Sequence, residues 1–427
     1  MIRGTKIPPP QSPQQANVSR EGLFSSRSAT STLNPQRKAF NVSLLTAGRD
    51  KPYALGLAGA LLSAGVSFDF LGSDLVDGPE LHGNGLVRFL KIREQREDAT
   101  AAAKVARVLR YYARLIRYAA TAQPAVFHIL WNNKLEFFDR TLLMLYYKSL
   151  GKKIALTVHN VNAGERDGND SFLNRLSLRI QYKLSDHIFV HTEKMKNGLM
   201  ADFYVAGGKV SVIPFGINNT VPNTALTSAD AKRQLALSSR YKAILFFGNI
   251  APYKGLEYLV EAFGKLAASD PSYRLIIAGR PKWSEDYWLQ VKSVIDRADL
   301  GDRIIARIEY VPDEQTELYM KAADILVLPY THVFQSGVLF LGYNFGLPAV
   351  VTDVGSLKEE IIEGETGFVC SPEDASSLAE AISRYFECDL FRELENRRPR
   401  IKQYANERYS WKKVAVITKA VYLELTR

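Results

Sequence analysis

Two consecutive series of alternating strand-like and helix-like segments constrain the fold of this chain most. Parallel strands need helical crossovers, so each series predicts one parallel sheet with helices on both faces. The predicted strands are residues 40–46, 66–71, 125–130, 153–159, 187–191 and 209–214 in the first series, and 243–247, 274–278, 303–311, 325–329, 349–352 and 367–369 in the second. The sequence therefore predicts an α/β protein of two Rossmann-like domains that face a cleft.

The helix-like segments and changes in composition predict the domain boundaries. Residues 1–39 are rich in Pro, Ser and Gln and lack apolar periodicity, which predicts a disordered tail. The first domain is predicted at 40–216, a linker at 217–230 and the second domain at 231–405. A last unit at 406–427, with a helix-like segment at 411–425, follows the completed second series, and we expect it to cross back to the first domain. The other helices are predicted at 53–63, 136–150, 172–184 and 194–205.

A glycine turn joins a predicted strand to a predicted helix at Gly248. The helix N-terminus after this turn carries partial positive charge, and Lys254 adds a full charge at the same place. We therefore expect Lys254 to be exposed at the cleft and to bind a phosphate or diphosphate. Gly248 and Asn249 belong to the same predicted site.

A second glycine-containing turn follows about ninety residues downstream. Gln335, Ser336, Gly337 and Val338 precede a helix-like segment, so their backbone amides are predicted to bind the same diphosphate. The following glycines and the polar loop at 353–356 lie at the end of another predicted strand. Ligands of open α/β sheets bind at the carboxyl ends of the strands, where these turns fall.

These motifs, in this order, resemble the retaining, nucleotide-sugar-dependent glycosyltransferases of family 4, which have the GT-B fold. The resemblance covers nearly everything after residue 40. It rests on residues 247–255, 275–279, 323–330, 335–338 and 346–367 in the second half, and on 156–160, 185–192 and 212–217 in the first.

The resemblance implies that the second domain binds a UDP- or GDP-linked sugar and that the first domain binds the acceptor. Lys254 is then expected to contact the diphosphate, with Gly279 and Arg280 at the donor site. The family usually has an arginine where this chain has Asn249. It also commonly has two glutamates, eight positions apart, in the region 333–342, whereas no acidic residue occurs from 325 to 352. Backbone amides of the turn at Gly337 are expected to carry more of the donor binding.

The resemblance also assigns roles in the first domain. His159 is expected at the cleft, where it helps to hold the donor sugar, and with Lys254 it forms the predicted catalytic pair. Gly48, Arg49, Asp50 and Lys51 follow the first strand, and their position alone predicts an acceptor site. The implied mechanism is front-face attack with retention at the anomeric carbon, which requires no metal and no cofactor other than the nucleotide sugar.

Composition limits the alternatives. The chain has 427 residues, a net charge of +10 and two cysteines, with no CxxC motif. The charge predicts an anionic partner, and the cysteine content argues against a disulfide scaffold or a structural zinc site. No apolar run is long enough for a membrane span, and no signal-peptide core is visible at the N-terminus. We therefore expect a cytoplasmic protein.

A basic segment at residues 104–119 bears on the acceptor. Lys104, Arg107, Arg110, Arg114 and Arg117 share one face of a helix, and an apolar stripe lies on the other. Two interpretations stay open: a domain helix with a solvated basic side, or a helix that lies on an anionic membrane surface. The second fits an enzyme that glycosylates a lipid-linked saccharide at the inner face of the plasma membrane, in surface polysaccharide or glycolipid biosynthesis.

Three other functions would each require particular sequence features. A nucleotide-sugar epimerase should have several carboxylates and histidines at the cleft, and the sequence places few there. A nucleic-acid-binding protein should interleave aromatic and basic residues, which the basic segment does not do. A catalytically impaired paralogue that binds nucleotide sugars and acts through partners is compatible with Asn249 and the missing glutamates.

Overall fold

The fold is taken from a computed structural model of the chain. The structure describes residues 41–48, 50–94, 100–166, 168–217, 221–282 and 285–427. The prediction of a disordered tail at residues 1–39 lies outside the described residues.

The first domain is built on a seven-stranded parallel sheet with the strand order β3-β2-β1-β4-β5-β6-β7. Its elements are β1 (Asn41–Leu45), α1 (Lys51–Ser63), β2 (Ser67–Ser73), β3 (Val87–Arg93), α2 (Ala101–Thr121), β4 (Val126–Ile129), α3 (Glu136–Arg140), α4 (Leu142–Ser149), β5 (Lys153–Thr157), α5 (Ala163–Arg166), α6 (Phe172–Leu184), β6 (His187–Val190), α7 (Glu193–Phe203) and β7 (Val210–Val212). Helices α2, α4, α6 and α7 cover one face of the sheet, and α1 covers the other.

The second domain is built on a six-stranded parallel sheet with the order β10-β9-β8-β11-β12-β13. Its elements are α8 (Ser228–Gln234), β8 (Lys242–Phe247), α9 (Leu256–Ser269), β9 (Tyr273–Ala278), α10 (Glu285–Arg297), β10 (Ile304–Arg307), α11 (Asp313–Ala322), β11 (Ile325–Leu328), α12 (Gly337–Asn344), β12 (Ala349–Thr352), β13 (Gly367–Cys370), α13 (Ala375–Glu387), α14 (Asp389–Arg392), α15 (Leu394–Arg408) and α16 (Trp411–Leu425). The prediction of two parallel α/β sheets is confirmed.

Helix α16 crosses back to the first domain, as expected. Its Val414 and Tyr422 are fully buried in the core that α1 forms with the first sheet. The Tyr422 hydroxyl lies 2.6 Å from Nδ1 of the buried His128 on β4. At the start of the helix, the indole nitrogen of Trp411 donates to the carbonyl of Ile217, 2.8 Å away. The end of the chain therefore anchors the two domains to each other.

A buried ion pair fixes α8 to the second sheet. Nζ of Lys232 lies 2.8 and 2.9 Å from the two carboxylate oxygens of Asp324, and the backbone N–H of Ala243 donates to the same carboxylate at 2.7 Å. Both side chains are buried. Removal of one partner from a pair this deep leaves an uncompensated charge, which costs about 3–5 kcal/mol.

Candidate functional site

A cavity of about 300 Å³ lies at the carboxyl ends of strands from both sheets. It is lined by Asp50, Pro52, Tyr53, Phe215, Gly216 and Trp411 from the first domain and from α16, and by Tyr253, Lys254, Val333, Gln335, Ser336, Gly337, Val338 and Leu341 from the second domain. The cavity therefore unites one predicted acceptor residue, Asp50, with Lys254 and the whole turn at Gln335–Val338.

Lys254 lines this cavity but is buried, with a relative exposure of 8%, so the prediction that it is exposed is wrong. Its Nζ lies 2.5 Å from the hydroxyl of Tyr330 and 4.0 Å from the centre of the same ring. The Tyr330 hydroxyl is in turn 3.1 Å from Oγ of Ser336. Sequence reasoning missed Tyr330, which encloses the Lys254 side chain and links it to the start of α12.

A glycine after the lysine makes this packing possible. Gly255 has φ of 62°, and a Cβ atom there would lie 2.0 Å from the carbonyl oxygen of Pro329. A glycine alone satisfies both the left-handed backbone and the close approach. Gly255 is also the N-cap of α9, so the turn brings the end of β8 against the end of β11 and positions Lys254 beside Tyr330.

The N-terminus of α12 supplies the second feature that suits an anion. The helix begins at Gly337 with Ser336 as its N-cap, and the Ser336 side chain makes no capping hydrogen bond. The first turn contains no acidic residue. Backbone N–H groups at a helix start, together with a lysine ammonium, form a site for phosphate oxygens.

Gln335 lines the cavity, and a hydrogen bond fixes the orientation of its amide group. Its Nε2 lies 3.5 Å from Oε1 of Glu360, which assigns the amide nitrogen to that side. Its Oε1 is buried and has no hydrogen-bond partner among the described residues. The hydroxyl of Tyr409 donates to the Glu360 carboxylate, and burial raises the pKa of this carboxyl. Gln335 is therefore held in place beside the cavity, and its buried Oε1 is an acceptor that no described residue satisfies.

His159 belongs to an aromatic cluster next to the cavity and is not among the residues that line it. Its ring stacks on Trp131 at 4.5 Å and meets Tyr53, a lining residue, edge-on at 4.7 Å. Its Nδ1 lies 3.1 Å from Nε2 of His191, and Nδ1 of His191 faces the carbonyl of Ile213 at 3.3 Å. Because a carbonyl only accepts, this chain of contacts assigns a proton to both Nδ1 atoms.

Burial keeps both imidazoles neutral. It lowers the pKa of His191 to about 4 and that of His159 well below its ordinary value. Nε2 of His159 is then an unprotonated acceptor, and it is buried with no hydrogen-bond partner among the described residues. The cluster therefore orients the Tyr53 ring at the wall of the cavity.

Of the other predicted acceptor residues, Gly48 and Lys51 are described by the structure and do not line the cavity. Gly48 donates its backbone N–H to Oγ1 of Thr46, and Lys51 is exposed at the start of α1. Asp50 caps α1 by accepting from the N–H of Tyr53 at 3.3 Å. Arg49 lies outside the described residues.

The remaining predicted donor residues contribute less directly. A Cβ atom on Gly279 would lie 1.7 Å from the carbonyl oxygen of Gly248, so these two glycines pack strand ends together. Arg280 is exposed, and its guanidinium lies 5.2 Å from the ring centre of Tyr310. Asn249 is partly exposed. The structure places none of these side chains in the lining of the cavity.

Several lining residues were missed from the sequence. An aromatic wall is formed by Tyr53, Phe215 and Trp411. In the sequence, Tyr53 and Trp411 stand at the starts of predicted helices, and Phe215 stands just before the predicted linker. Val333 and Leu341 also line the cavity, and they stand eight positions apart in the region where the family commonly has two glutamates. The wall at these positions is apolar.

Comparison with known proteins agrees with this geometry. Residues 52–220 match the family described as Glycosyltransferase Family 4, and residues 228–408 match Glycosyl transferases group 1. The chain is a family 4 glycosyltransferase with the GT-B fold. This glycosyltransferase is 24% identical over 277 residues to a D-inositol 3-phosphate glycosyltransferase of Corynebacterium efficiens, and the match covers 63% of each chain. Across the first curated relatives, the match spans 44 to 63% of their length.

Solved structures resemble the glycosyltransferase over most of its length. Sucrose-phosphate synthase from Thermosynechococcus elongatus is 18% identical, with a TM-score of 0.71 over 90% of this chain and 99% of the other. Anabaena HepE, solved in complex with UDP, is 15% identical, with a TM-score of 0.67 over 89% of this chain and 99% of the other. At these identities the likeness shows the fold.

The described residues also bear on metal binding and on membrane insertion. Among them, no group of three or more His, Cys, Asp or Glu side chains is arranged to hold a metal ion. No helix in the described part of the chain is both long and apolar enough to cross a bilayer.

Proposed function

We propose that this glycosyltransferase moves a sugar from a UDP- or GDP-linked donor to a lipid-linked saccharide, with retention at the anomeric carbon. The observation that carries the proposal is the convergence of Lys254 and the N-terminus of α12 on one cavity between the domains. Residues more than eighty positions apart in the sequence together offer the cation and amide donors that a diphosphate requires.

In the proposed reaction the acceptor hydroxyl attacks the anomeric carbon from the face that the diphosphate leaves. The bond between the anomeric carbon and the β-phosphate oxygen breaks, and that oxygen takes the acceptor proton. Lys254 and the amides of Gly337 and Val338 stabilise the negative charge that develops on the leaving diphosphate. No protein carboxylate is needed as a nucleophile. Gln335 Oε1 accepts from a donor hydroxyl, and His159 acts through Tyr53 at the cavity wall.

The acceptor is proposed to bind on the first-domain side of the cavity. Asp50 lies at the cavity mouth on the first domain, and the aromatic wall of Tyr53, Phe215 and Trp411 offers flat apolar surfaces to a sugar ring. The basic face of α2, at residues 104–117, favours an acceptor presented at an anionic membrane. We therefore propose that the protein acts at the inner face of the plasma membrane, in surface polysaccharide or glycolipid assembly.

One observation favours a second candidate, a nucleotide-sugar-binding paralogue with impaired catalysis. Lys254 is enclosed by Tyr330, and Val333 and Leu341 leave the adjoining wall apolar. Such a protein would bind the nucleotide sugar without turnover.

A transfer assay separates the two candidates. The protein is incubated with radiolabelled UDP- and GDP-sugars and with a crude lipid extract as the acceptor source. Label that enters the organic phase supports the transferase. NMR of the product should then show the same anomeric configuration as in the donor. Nucleotide binding by calorimetry without transfer or donor hydrolysis supports the paralogue, and absence of both overturns the proposed function.

A further inference from the structure

We infer that one face of the first domain docks the protein on an anionic lipid bilayer. Large apolar side chains are unusually exposed on this face, with relative exposures of 62% for Leu109, 60% for Leu142 and 78% for Phe172. The whole set, which we call the α2–α6 face, comprises Val105, Leu109, Ile116, Leu135, Phe137, Leu142, Leu145, Phe172, Leu173 and Leu176. Contiguous exposed apolar surface of this kind marks an interaction site.

The helices that carry these side chains pack side by side. Between α2 and α3, the rings of Tyr112 and Phe138 meet edge-on at 5.4 Å. Between α2 and α4, the hydroxyl of Tyr146 donates to the carbonyl of Ile116 at 3.2 Å. Between α3 and α6, Nη1 of Arg140 lies 2.8 Å from Oδ1 of Asn174. The apolar residues of α2, α3, α4 and α6 therefore belong to one surface.

The exposed apolar residues of α2 lie on one side of the helix, the side that adjoins α3. Val105, Leu109, Tyr112 and Ile116 are spaced by four, three and four residues, so they share one stripe of the helix. Tyr112 is the buried member and packs against α3. Over residues 101–110 the helix has no buried side chain, so its first turns extend beyond the domain core.

The charge of α2 indicates which partner binds the α2–α6 face. The side of α2 away from its apolar stripe carries Lys104, Arg107, Arg110, Arg114 and Arg117. Arg114 pairs with the half-exposed Glu94 at 3.4 Å. Helix α2 itself contains five cationic residues and no acidic one, so this side of the helix is positive. A helix with a cationic side and an exposed apolar side lies in a membrane interface, with its apolar residues inserted below anionic headgroups. The centre of a protein interface is depleted of charge, so a protein partner fits this face less well.

The location also suits a membrane-bound acceptor, and here the inference rests on the proposed function. The α2–α6 face covers one side of the first sheet, whereas α1 and α16 cover the other side. The cavity lies at the carboxyl ends of the strands, between these two sides. A bilayer on the α2–α6 face leaves the cavity open at its edge, where a lipid-linked sugar could reach Asp50.

Vesicle flotation tests the docking surface without donor or acceptor. Full-length protein is mixed with phosphatidylcholine vesicles that contain no anionic lipid or about 30 mol% phosphatidylglycerol. We expect flotation with the anionic vesicles and a loss of binding at high salt. Leu109→Ser with Phe172→Ser should reduce partitioning about tenfold, because two inserted apolar side chains are lost. Arg110→Gln with Arg117→Gln should reduce it on anionic vesicles only.

Leu289→Ser is the matched control, because Leu289 is as exposed as Leu142 but lies on α10 of the second domain. It should float like the wild type. Absence of wild-type binding, or binding that neither double variant reduces, overturns the inference. A concentration-dependent dimer that the apolar double variant abolishes would reassign the face to a second copy of the chain. Nucleotide binding by the double variants reports on the proposed function separately, because their sites lie outside the cavity.

Discussion

Replacement of Lys254 by Met removes the cation from the candidate diphosphate site while the aliphatic stem stays in place. A hydrogen bond to a charged group contributes about 1.5–3 kcal/mol. The dissociation constant for the nucleotide that binds the wild type should therefore rise about 10- to 150-fold, since 1.36 kcal/mol corresponds to a factor of ten. Isothermal titration calorimetry with UDP and GDP measures this change.

The same structure predicts that the variant stays folded. Lys254 is buried, but the Tyr330 hydroxyl that it contacts keeps Ser336 as a partner at 3.1 Å. The free energy of unfolding in urea should therefore change by no more than about 1.5 kcal/mol. Lys265→Met is the control, because Lys265 is an exposed lysine on α9 that bonds Ser376. A folded Lys254→Met protein with unchanged nucleotide affinity would refute the assignment of the diphosphate site.

Three further predictions concern the site and the scaffold. Gln335→Leu should raise the KM of the donor about 2- to 12-fold in a transfer assay, because a neutral hydrogen bond contributes about 0.5–1.5 kcal/mol, and an unchanged KM would show that its free oxygen meets no ligand. Lys232→Met should lower the free energy of unfolding in urea by about 3–5 kcal/mol, because the buried Asp324 carboxylate loses its cationic partner. A loss below about 1 kcal/mol would contradict this. Burial lowers the pKa of His128 to about 3 and that of His191 to about 4, so the unfolded chain binds protons that the folded protein excludes. The free energy of unfolding should therefore fall as the pH drops below about 6.5, by about 2 kcal/mol per imidazole at pH 5. Urea midpoints that are the same at pH 7 and pH 5 would contradict this.

Elements with strong periodicity and clear ends could be predicted from the sequence. The helices at Phe172–Leu184 and Trp411–Leu425 and the strand at Ala349–Thr352 match the structure residue for residue. Ser171 and Ser410 cap the two helices, and their side chains accept from backbone N–H groups in the first turn. Local signals of this kind do not depend on tertiary contacts.

Tertiary context decided the elements that the sequence did not predict. Strand β3, Val87–Arg93, lies at the edge of the first sheet, where charged residues alternate with half-buried ones and weaken the apolar signal. The helix predicted at 136–150 divides at Thr141, whose φ and ψ of −120° and −86° leave the helical region. Its hydroxyl donates to the carbonyl of Phe137 instead, at 2.6 Å. A β-branched hydroxyl residue competes with the helix in this way.

The candidate site was predicted in part. The turn at 335–338 and Lys254 line one cavity, and their chemistry could be read from glycine turns at strand ends. The enclosure of Lys254 by Tyr330 could not, because it depends on the register of β8 against β11 and on the backbone contact at Gly255. Trp411 likewise enters the cavity wall only because α16 crosses back to the first domain.

The most direct test of the account is a thermal-shift panel with UDP, GDP, ADP and their common sugar conjugates, on the wild type and on Lys254→Met. A ligand of the native state raises the melting temperature by mass action. The account predicts that one uracil or guanine nucleotide family stabilises the wild type and that Lys254→Met loses most of this shift. Absence of a shift with every nucleotide, or a shift that the variant retains in full, would contradict the claim that the cavity at Lys254 and α12 binds a nucleotide diphosphate sugar.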